Sequence, residues 1–253
     1  MSRISSFKSR VLSRELLVGT FLKTPHYVMI EVFAQSAFDF LCLDAEHAPF
    51  SRQDLDTCIL AARAWGMPVL VRTPNDAPET LLNVLDMGAD GVVVPHVKTA
   101  EQLIAIVRHC HYGAGGRGYA GSSRFAGYTT KPLSENLEAG KNVSIVAQLE
   151  DLDAIDNIEA IAHVDGVDCL FIGRMDLTVA LGETRADAPK VKQAVEHLVE
   201  VSHRAGKATG MFVGNLEELA YWKEKGVSLF LLGSDHGFML SGAKALRETF
   251  DKA

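Results

Sequence analysis

The feature that most constrains the fold of this chain is an alternation of short apolar runs with amphipathic stretches. Eight runs have the length and apolar character of strands: Val18–Leu22, Phe38–Leu43, Pro68–Arg72, Gly91–Pro95, Ser144–Leu149, Cys169–Gly173, Thr209–Val213 and Leu229–Gly233. The stretches between them, such as Asp54–Trp65 and Val191–Ala205, show helical periodicity. Each connection is long enough for a helical crossover, which predicts parallel strands. Runs without strict polar alternation indicate that helices cover the sheet.

Eight such units favour an α/β fold of the (β/α)8 TIM-barrel type, with residues 1–253 forming a single domain. The alternative is an open, doubly wound sheet. That fold commonly carries a glycine-rich phosphate turn after its first strand. Here the first strand continues into "KTPHYV", which lacks such a turn, and the barrel is therefore the prediction.

Two segments interrupt the repeat. The first residues, "MSRISSFKSRVLSR", resemble a transit peptide in lacking acids, but Ile4, Phe7 and Val11 lie at helical spacing. The second interpretation predicts a short helix that closes the lower end of the barrel. Residues 112–142 form a long, glycine-rich segment, which is predicted to fold over the barrel mouth because long loops in compact domains are usually functional.

Composition excludes several classes of partner. The net charge of −7 argues against nucleic acid or an anionic membrane surface as the main partner. No apolar run is long enough to span a bilayer. The four cysteines form no CxxC pair, which favours reduced, structural thiols and a cytoplasmic protein.

Polar groups follow most of the predicted strands at the point where each strand ends. In barrels of this class the catalytic groups lie at the C-terminal ends of the strands. The polar strand ends are Asp44 with Glu46 and His47, Arg72, His96, Gln148 with Glu150, Gly173-Arg174-Met175-Asp176, and Ser234-Asp235-His236. Core packing does not account for polar groups repeated at one rim. The pattern therefore predicts a site that several strands share.

Two of these rim residues, Glu150 and Asp176, end neighbouring strands. Adjacent parallel strands lie about 4.8 Å apart, and two carboxylates so close repel each other unless a proton or a cation lies between them. A hard divalent ion such as Mg²⁺ binds one or two carboxylates and keeps positions for water and substrate oxygens. The alternative is that each acid only caps the helix that follows it. The pair is a candidate metal site.

A cation and a base complete the predicted site. Arg72 suits the binding of a carboxylate or an oxyanion, although a structural ion pair with Asp86 or Glu46 is the alternative. His47 is a candidate general base because its free pKa is close to neutral, and Asp86 is a candidate to orient its imidazole. Gly173 opens a helix and exposes backbone N–H groups to a ligand anion. Together these groups suit the removal of a proton beside a carbonyl and the stabilisation of the enolate.

Five segments carry a resemblance to a known family: "DAEHAPFS", "VRTPN", "LDMGADGVVVPHV", "AQLED" and "FIGRMDLTVALG". In this order they resemble the 4-hydroxy-2-oxoheptanedioate aldolase family, which comprises class II, metal-dependent pyruvate aldolases. The likeness covers nearly the whole chain. It implies a (β/α)8 barrel that assembles as a hexamer, a trimer of dimers that exchange their C-terminal helix. It also implies a 2-oxo acid and an aldehyde as the small-molecule partners.

The resemblance implies a metal site and a catalytic base at matching positions of this chain. Glu150 and Asp176 match the metal-binding acids, which are loaded with Mg²⁺, Mn²⁺ or Co²⁺. His47 matches the catalytic base and Asp86 matches its partner. Arg72 matches the residue that stabilises the enolate oxygen.

Substrate-binding positions follow from the same resemblance. Gln148 matches a residue close to the bound 2-oxo acid, and Gly173 and Met175 lie in the turn whose backbone amides bind its carboxylate. Asp44 falls near the acceptor aldehyde and near a neighbouring subunit. The sequence departs from the family at Arg174-Met175, where a proline and a small residue are usual. This departure predicts a bulkier and more basic pocket wall.

The implied reaction is the reversible addition of an enolate to an aldehyde. The donor is pyruvate or a close 2-oxo acid such as hydroxypyruvate, and the reverse reaction cleaves a 4-hydroxy-2-oxo acid. A Schiff-base route would use Lys23 or Lys98, but neither explains the acids at the rim. The remaining alternatives are an oxaloacetate decarboxylase, a CoA-thioester lyase of the citrate-lyase type, and a non-catalytic barrel that binds or assembles.

Overall fold

The computed structural model describes residues 3–253, and the eight apolar runs all form strands. The strands are β1 (Leu17–Leu22), β2 (Phe40–Asp44), β3 (Val69–Arg72), β4 (Gly91–Val94), β5 (Ser144–Leu149), β6 (Cys169–Ile172), β7 (Ala208–Val213) and β8 (Leu229–Ser234). Each strand pairs in parallel with the next, and β8 pairs with β1 to close the barrel. The predicted (β/α)8 fold is confirmed.

Helices lie between the strands and around the barrel. They are α1 (Arg3–Leu12), α2 (Tyr27–Ala34), α3 (Arg52–Trp65), α4 (Pro78–Asp86), α5 (Ala100–Cys110), α6 (Leu133–Gly140), α7 (Leu152–Asp156), α8 (Ile158–Ala162), α9 (Arg174–Ala180), α10 (Pro189–Arg204), α11 (Leu219–Glu224) and α12 (Asp235–Lys252). Local sequence fixes several of these ends. Ser51 and Asp54 form a capping box at the start of α3, and Gly66, at φ +67°, ends that helix in the left-handed conformation.

Two apolar clusters stabilise the barrel. The larger one lies between the strands and the surrounding helices, and the smaller one fills the barrel interior and includes Phe40 and Phe171. Helix α1 closes the lower end of that interior, as predicted. Phe7 and Val11 are buried in the interior cluster, and the Phe7 ring lies 5.5 Å from the ring of Phe40. The side chain of Ile4 lies outside the described residues.

The glycine-rich segment 112–142 does not lie over the barrel mouth, and that prediction was wrong. It connects α5 to β5, so it lies at the N-terminal end of the strands, where the chain enters the barrel. Arg117 binds the carboxylate of Asp86 at the end of α4, and Arg124 donates to the carbonyl of Met87. The error has a physical cause: α5 had already carried the chain back from the rim before the glycines begin.

All four cysteines are buried and free, in agreement with the structural role predicted for them. Burial raises the pKa of the Cys42, Cys58 and Cys110 thiols to about 12. A thiol with such a pKa stays protonated near neutral pH and is a poor nucleophile. These cysteines therefore act as small apolar side chains.

Helix α12 differs from the other helices in how little of it packs on the barrel. Its one buried residue is Asp235, whose carboxylate accepts hydrogen bonds from the backbone N–H groups of Lys23 and Thr24. Further along, Leu246 and Phe250 are 75% and 72% exposed. The exchange of this helix between subunits stays a prediction. Across residues 3–253, no helix combines the length and the apolar character that crossing a membrane requires.

Candidate active site

A cavity of about 750 Å³ opens at the C-terminal ends of the strands. Six predicted site residues line it: His47, Arg72, Gln148, Gly173, Met175 and Asp176. Phe21, Phe171 and Phe212 supply apolar wall. The strand ends therefore meet at one site, as the sequence pattern predicted.

Arg72 is held in place by a carboxylate on the neighbouring strand. Asp44 and Arg72 are register partners at the ends of β2 and β3. The Asp44 Oδ1 atom accepts from Arg72 Nε at 3.0 Å and lies 2.8 Å from Nη2. Glu46 Oε2 lies 3.3 Å from Arg72 Nε, so the predicted ion pair with Glu46 is present, while Asp86 is engaged elsewhere. Arg72 is fixed in orientation, yet still lines the cavity.

Asp44 is fully buried beneath the cavity and does not line it. Lys23 Nζ lies 3.1 Å from its Oδ2, and the backbone N–H of His47 donates to its Oδ1. Burial acts to raise the pKa of Asp44, but the hydrogen bond and charge of Arg72, the His47 amide and Lys23 outweigh burial and lower it. Within one chain, Asp44 positions two cations and is not exposed to an aldehyde.

Glu150 is buried at the start of the β5–α7 connection. Its Oε2 accepts from Gln148 Nε2 at 2.5 Å, and its Oε1 accepts from the backbone N–H of His96 at 2.8 Å. Burial is the largest influence on its pKa, which is raised, and the negative charge of Asp176 adds to the increase. A Cβ at position 173 would lie 2.7 Å from Glu150 Oε2, so only glycine leaves room for this carboxylate.

His96 belongs to the site, although the sequence pattern gave it no role. It follows β4 at φ +55°, a backbone conformation that is uncommon for residues other than glycine, although histidine adopts it more often than most. Its Nδ1 lies 3.0 Å from Asp151 Oδ2 and 3.4 Å from Glu150 Oε1, and its Nε2 lies 3.6 Å from Glu46 Oε1. Burial acts to lower the pKa of His96, but these three carboxylates outweigh it and raise the pKa. The only sequence signal was its place after "VVVP".

The residues at this edge of the cavity fit a divalent cation. Two acids, Glu150 and Asp176, interact there, and no arginine or lysine contacts Glu150 among the described residues. Glu46, His96 and Glu150 also bring ligand atoms within 4.8 Å of one another. Gln148 Oε1 is buried without a hydrogen-bond partner. Carboxylate oxygens suit Mg²⁺ and Mn²⁺, and an imidazole nitrogen is compatible with transition metals.

His47 and Asp86 are not brought together within one chain. His47 is 55% exposed beside the cavity, with Nε2 3.7 Å from Glu46 Oε2. Asp86 ends α4 at the opposite end of the barrel, where its Oδ1 accepts from Arg117 Nη2 at 2.5 Å. Among the described residues, no hydrogen bond or ion pair joins the two. The dyad stays a prediction that a single chain does not form.

The turn after β6 has fewer backbone N–H groups free to bind a ligand anion than the sequence suggested. The N–H of Gly173 donates to the carbonyl of Leu149 at 2.9 Å, so it is already engaged. Arg174 to Asp176 form the first turn of α9. Their N–H groups lack partners within the helix because no helical carbonyl precedes them. Met175 is 58% exposed and lines the cavity, as expected of a residue in the pocket wall.

Comparison with known proteins places this site in a family. The model of the HpcH/HpaI aldolase/citrate lyase family matches residues 17–241, which include every predicted site residue. The chain belongs to this family. This membership supports the predicted lyase activity.

Relatives of similar length support the assignment. A 5-keto-4-deoxy-D-glucarate aldolase of Klebsiella pneumoniae subsp. pneumoniae is 32% identical over 98% of this chain and 97% of its own length. A family protein of Burkholderia cenocepacia J2315 is 30% identical, with a TM-score of 0.91 over 97% of this chain and 99% of that one. The citrate synthase SbnG is 31% identical, with a TM-score of 0.87 over 97% of both chains. The narrower 4-hydroxy-2-oxoheptanedioate assignment stays a prediction.

Proposed function

We propose that this protein is a class II aldolase that forms the enolate of pyruvate, or of a close 2-oxo acid such as hydroxypyruvate, and adds it reversibly to an aldehyde. One observation carries the proposal: the carboxylate of Glu150 lies against Gly173 at the cavity wall, and Asp176 and Arg72 line the same cavity. This arrangement combines a cation site with a fixed oxyanion partner. Such a combination suits a reaction in which negative charge develops on a carbonyl oxygen.

Glu150 and Asp176 would hold the divalent ion, Mg²⁺, Mn²⁺ or Co²⁺. When bound, such an ion acts as a Lewis acid that polarises the keto group of the donor. Gln148 donates to Glu150 and so keeps the carboxylate oriented toward the β6 turn. A partner that orients a metal ligand contributes to affinity even though it does not touch the ion.

Arg72 supplies the second stabilising charge. Because Asp44 and Glu46 fix its guanidinium before substrate arrives, little reorganisation is needed when the enolate oxygen becomes negative. The ring of Phe21 lies 4.6 Å from the guanidinium carbon and limits its movement further.

His47 is the proposed base. A ring nitrogen of His47 takes a proton from the methyl carbon of the donor, and the electron pair moves toward the keto oxygen. Glu46, 3.7 Å from His47 Nε2, is the nearest carboxylate to stabilise the imidazolium within one chain. Asp86 would contribute only if another copy of the chain brought it to the cavity.

We also propose a homo-oligomer in which α12 packs on another copy. Phe238, Met239, Leu240, Leu246 and Phe250 leave a series of apolar side chains exposed along this helix. Apolar side chains grouped on one exposed helix are typical of a surface that packs on another protein. The resemblance that predicts a hexamer with an exchanged C-terminal helix supports the same arrangement.

The test is proton NMR of pyruvate in D₂O with the protein and no aldehyde, with Mn²⁺ in catalytic amount or with excess EDTA. We expect the methyl signal to disappear through exchange only when the metal is present. The His47→Ala variant should lose the exchange, whereas His236→Ala, a rim histidine bonded to Thr24, should keep it. Full exchange in His47→Ala would contradict the base assignment. No exchange in the wild type with metal bound would contradict pyruvate as donor.

A further inference from the structure

Lys23 follows β1 at the C-terminal end of the barrel, and its side chain lines the cavity. Its alternative role, as a Schiff-base lysine, leaves the acids at the rim unexplained. We infer that Lys23 donates the proton that the acceptor aldehyde takes up when the new carbon–carbon bond forms. The inference rests on the proposed aldolase function and concerns the step that follows enolate formation.

The buried carboxylate of Asp44 holds Lys23 beside Arg72. Lys23 Nζ lies 3.1 Å from Asp44 Oδ2, and Arg72 Nη2 lies 2.8 Å from Asp44 Oδ1. The main chain is fixed as well, because the N–H of Lys23 donates to Asp235 Oδ1 at 2.9 Å. The ammonium and the guanidinium therefore share one carboxylate, and both line the cavity.

The proposed base is also close to Arg72. Glu46 Oε2 lies 3.3 Å from Arg72 Nε and 3.7 Å from His47 Nε2. The imidazole is thus linked to the guanidinium through Glu46, as the ammonium of Lys23 is through Asp44. All of these contacts lie within one chain. An enolate oxygen bound by Arg72 therefore has both a proton acceptor and a proton donor nearby.

The ammonium of Lys23 keeps N–H groups for a ligand. A lysine carries three N–H donors, and within residues 3–253 the carboxylate of Asp44 is its one charged partner. The side chain is 30% exposed. The N–H groups that do not point to Asp44 can therefore donate to an oxygen atom in the cavity.

The same contact explains how Asp44 acts on the acceptor. The resemblance places Asp44 near the aldehyde, yet its carboxylate is fully buried and does not line the cavity. Lys23 contacts Asp44 Oδ2 and does line the cavity. An effect of Asp44 on the acceptor therefore passes through the lysine that it holds in place.

The addition step needs a proton donor close to the carbon that His47 deprotonates. After losing its proton, the methyl carbon of the donor bonds to the aldehyde carbon, and the π electrons of the aldehyde move to its oxygen. That oxygen lies two bonds from the former methyl carbon. An N–H of Lys23 stabilises the developing charge, and transfer of its proton gives the hydroxyl group. The amine regains a proton from solvent, which receives the proton held by His47.

Arg174 is the other cation to consider, and it forms the bulkier wall that the sequence predicted. Its Nη1 lies 2.7 Å from Glu218 Oε2, and its Nη2 donates to the carbonyl of Ala186 at 3.3 Å. Among the described residues it shares no carboxylate with Arg72. Position, rather than charge, therefore favours Lys23 for contact with the aldehyde oxygen.

The test measures how the enolate divides between two fates in one sample. The protein is mixed in D₂O with pyruvate, Mn²⁺ and either glycolaldehyde or succinic semialdehyde, and proton NMR follows both methyl exchange and product formation. In Lys23→Met we expect exchange to stay nearly unchanged. We expect the rate of addition to fall by about 10²-fold, the effect of losing one proton donor.

The ratio of addition to exchange separates a catalytic role from a structural one. A lysine that only supported Asp44 would affect both rates together, so an unchanged ratio in Lys23→Met would overturn the inference. Arg185→Gln is the matched control, because Arg185 also lines the cavity and is paired with a carboxylate, that of Asp187. We expect its ratio to equal that of the wild type. An equal fall in Arg185→Gln would show a general effect of cavity charge and would overturn the inference.

Lys23→Arg separates charge from proton transfer. A guanidinium keeps the positive charge beside Asp44 but does not give up its proton. We therefore expect this variant to keep its stability and its exchange, while addition stays about 10-fold or more below the wild type. Full addition in Lys23→Arg would overturn proton donation. If Lys23→Met does not fold, the Lys23→Arg variant still decides.

Failure of this inference and failure of the proposed function give different results. No metal-dependent exchange in the wild type would contradict the proposed function itself. Exchange in the wild type without addition to either aldehyde would overturn the role of Lys23 alone. Loss of exchange in a folded Lys23→Met variant would also overturn that role, because it would place Lys23 in the donor half of the reaction.

Discussion

The two edges of the cavity hold the same kind of residue under opposite electrostatic conditions. At the β2–β3 edge, the buried carboxylate of Asp44 contacts Arg72 and Lys23, and its pKa is lowered. At the β5–β6 edge, the buried carboxylate of Glu150 interacts with Asp176, and its pKa is raised. The first carboxylate is paired with an arginine and a lysine, whereas the second has the amide of Gln148 and the backbone and imidazole of His96 as its partners. The contrast separates a structural acid from a functional one.

The sharpest test of this contrast is Glu150→Gln. We expect the rate of metal-dependent pyruvate exchange to fall by about 10³-fold, the several kcal/mol that a bound cation supplies. Because the substitution also removes a repelled negative charge, the metal-free variant should unfold at the same or a higher temperature than the wild type in EDTA. Thermal unfolding and NMR exchange measure both effects. A variant that lost thermal stability in EDTA would show that Glu150 is structural, as Asp44 is.

Arg72→Ala should give the next largest effect. Loss of one oxyanion partner lowers the exchange rate by about 10²–10³-fold. The variant should also be less stable, because Asp44 would keep only Lys23 as a side-chain partner. Arg72→Lys is the matched control: it keeps the charge but loses the two-pronged geometry, and should recover stability more fully than rate. Recovery of both to the same extent would contradict a catalytic role for the guanidinium.

Removal of the metal should lower the melting temperature only when the carboxylates of the β5–β6 edge are intact. With free Mn²⁺ at about 100 times its dissociation constant, the bound ion stabilises the fold by about 2.7 kcal/mol, so EDTA should lower the melting temperature of the wild type. The same drop is expected in Asp44→Asn, and none in Glu150→Gln. Differential scanning calorimetry with and without EDTA measures the three differences. An equal drop in all three proteins would place the ion somewhere other than at Glu150.

Asp44→Asn should give the smallest effect, and one that depends on pH. We expect a loss of about 2 kcal/mol near neutral pH, less than the cost of breaking a fully buried pair because Glu46 still contacts Arg72. Since the folded pKa of Asp44 is lowered from its ordinary value of 3.8, its stabilising effect is fully present above that value and is lost as pH falls through the folded pKa. The difference in melting temperature between wild type and variant should therefore stay constant down to about pH 4 and narrow only below it.

The strands were predictable because parallel strands covered by helices are apolar on both faces, so each run stands out without knowledge of its partners. The rim residues followed from the rule that strands of a barrel end at one face. The contacts of each rim residue were harder to predict from the sequence. Asp44 was not expected to hold Arg72, because that contact depends on the register between β2 and β3. His96 was placed at the rim but given no role, because its left-handed backbone, which directs its N–H to Glu150, has no sequence signature.

The features hardest to predict were those that depend on where distant parts of the chain lie in the fold. Asp86 and His47 have residue types suited to a dyad, but α4 carries Asp86 away from the rim, to Arg117. Residues 112–142 have the composition of a functional loop, and only the preceding helix shows that they lie at the opposite end of the barrel. In both cases the sequence gives the residue types, whereas their position depends on the direction in which the chain runs at that point.

Closure of the barrel between β1 and β8 has a consequence for how the protein is made. Leu17 pairs with Leu229, so a nascent chain cannot complete its sheet until β8 has left the ribosome. Throughout synthesis the free edge of β1 is open to pairing with other chains, a condition in which aggregation competes with folding. Helix α12, with its exposed apolar side chains, is translated after β8. The apolar surface of α12, which is proposed to pack on another copy, is therefore made only after β8, the strand that closes the barrel.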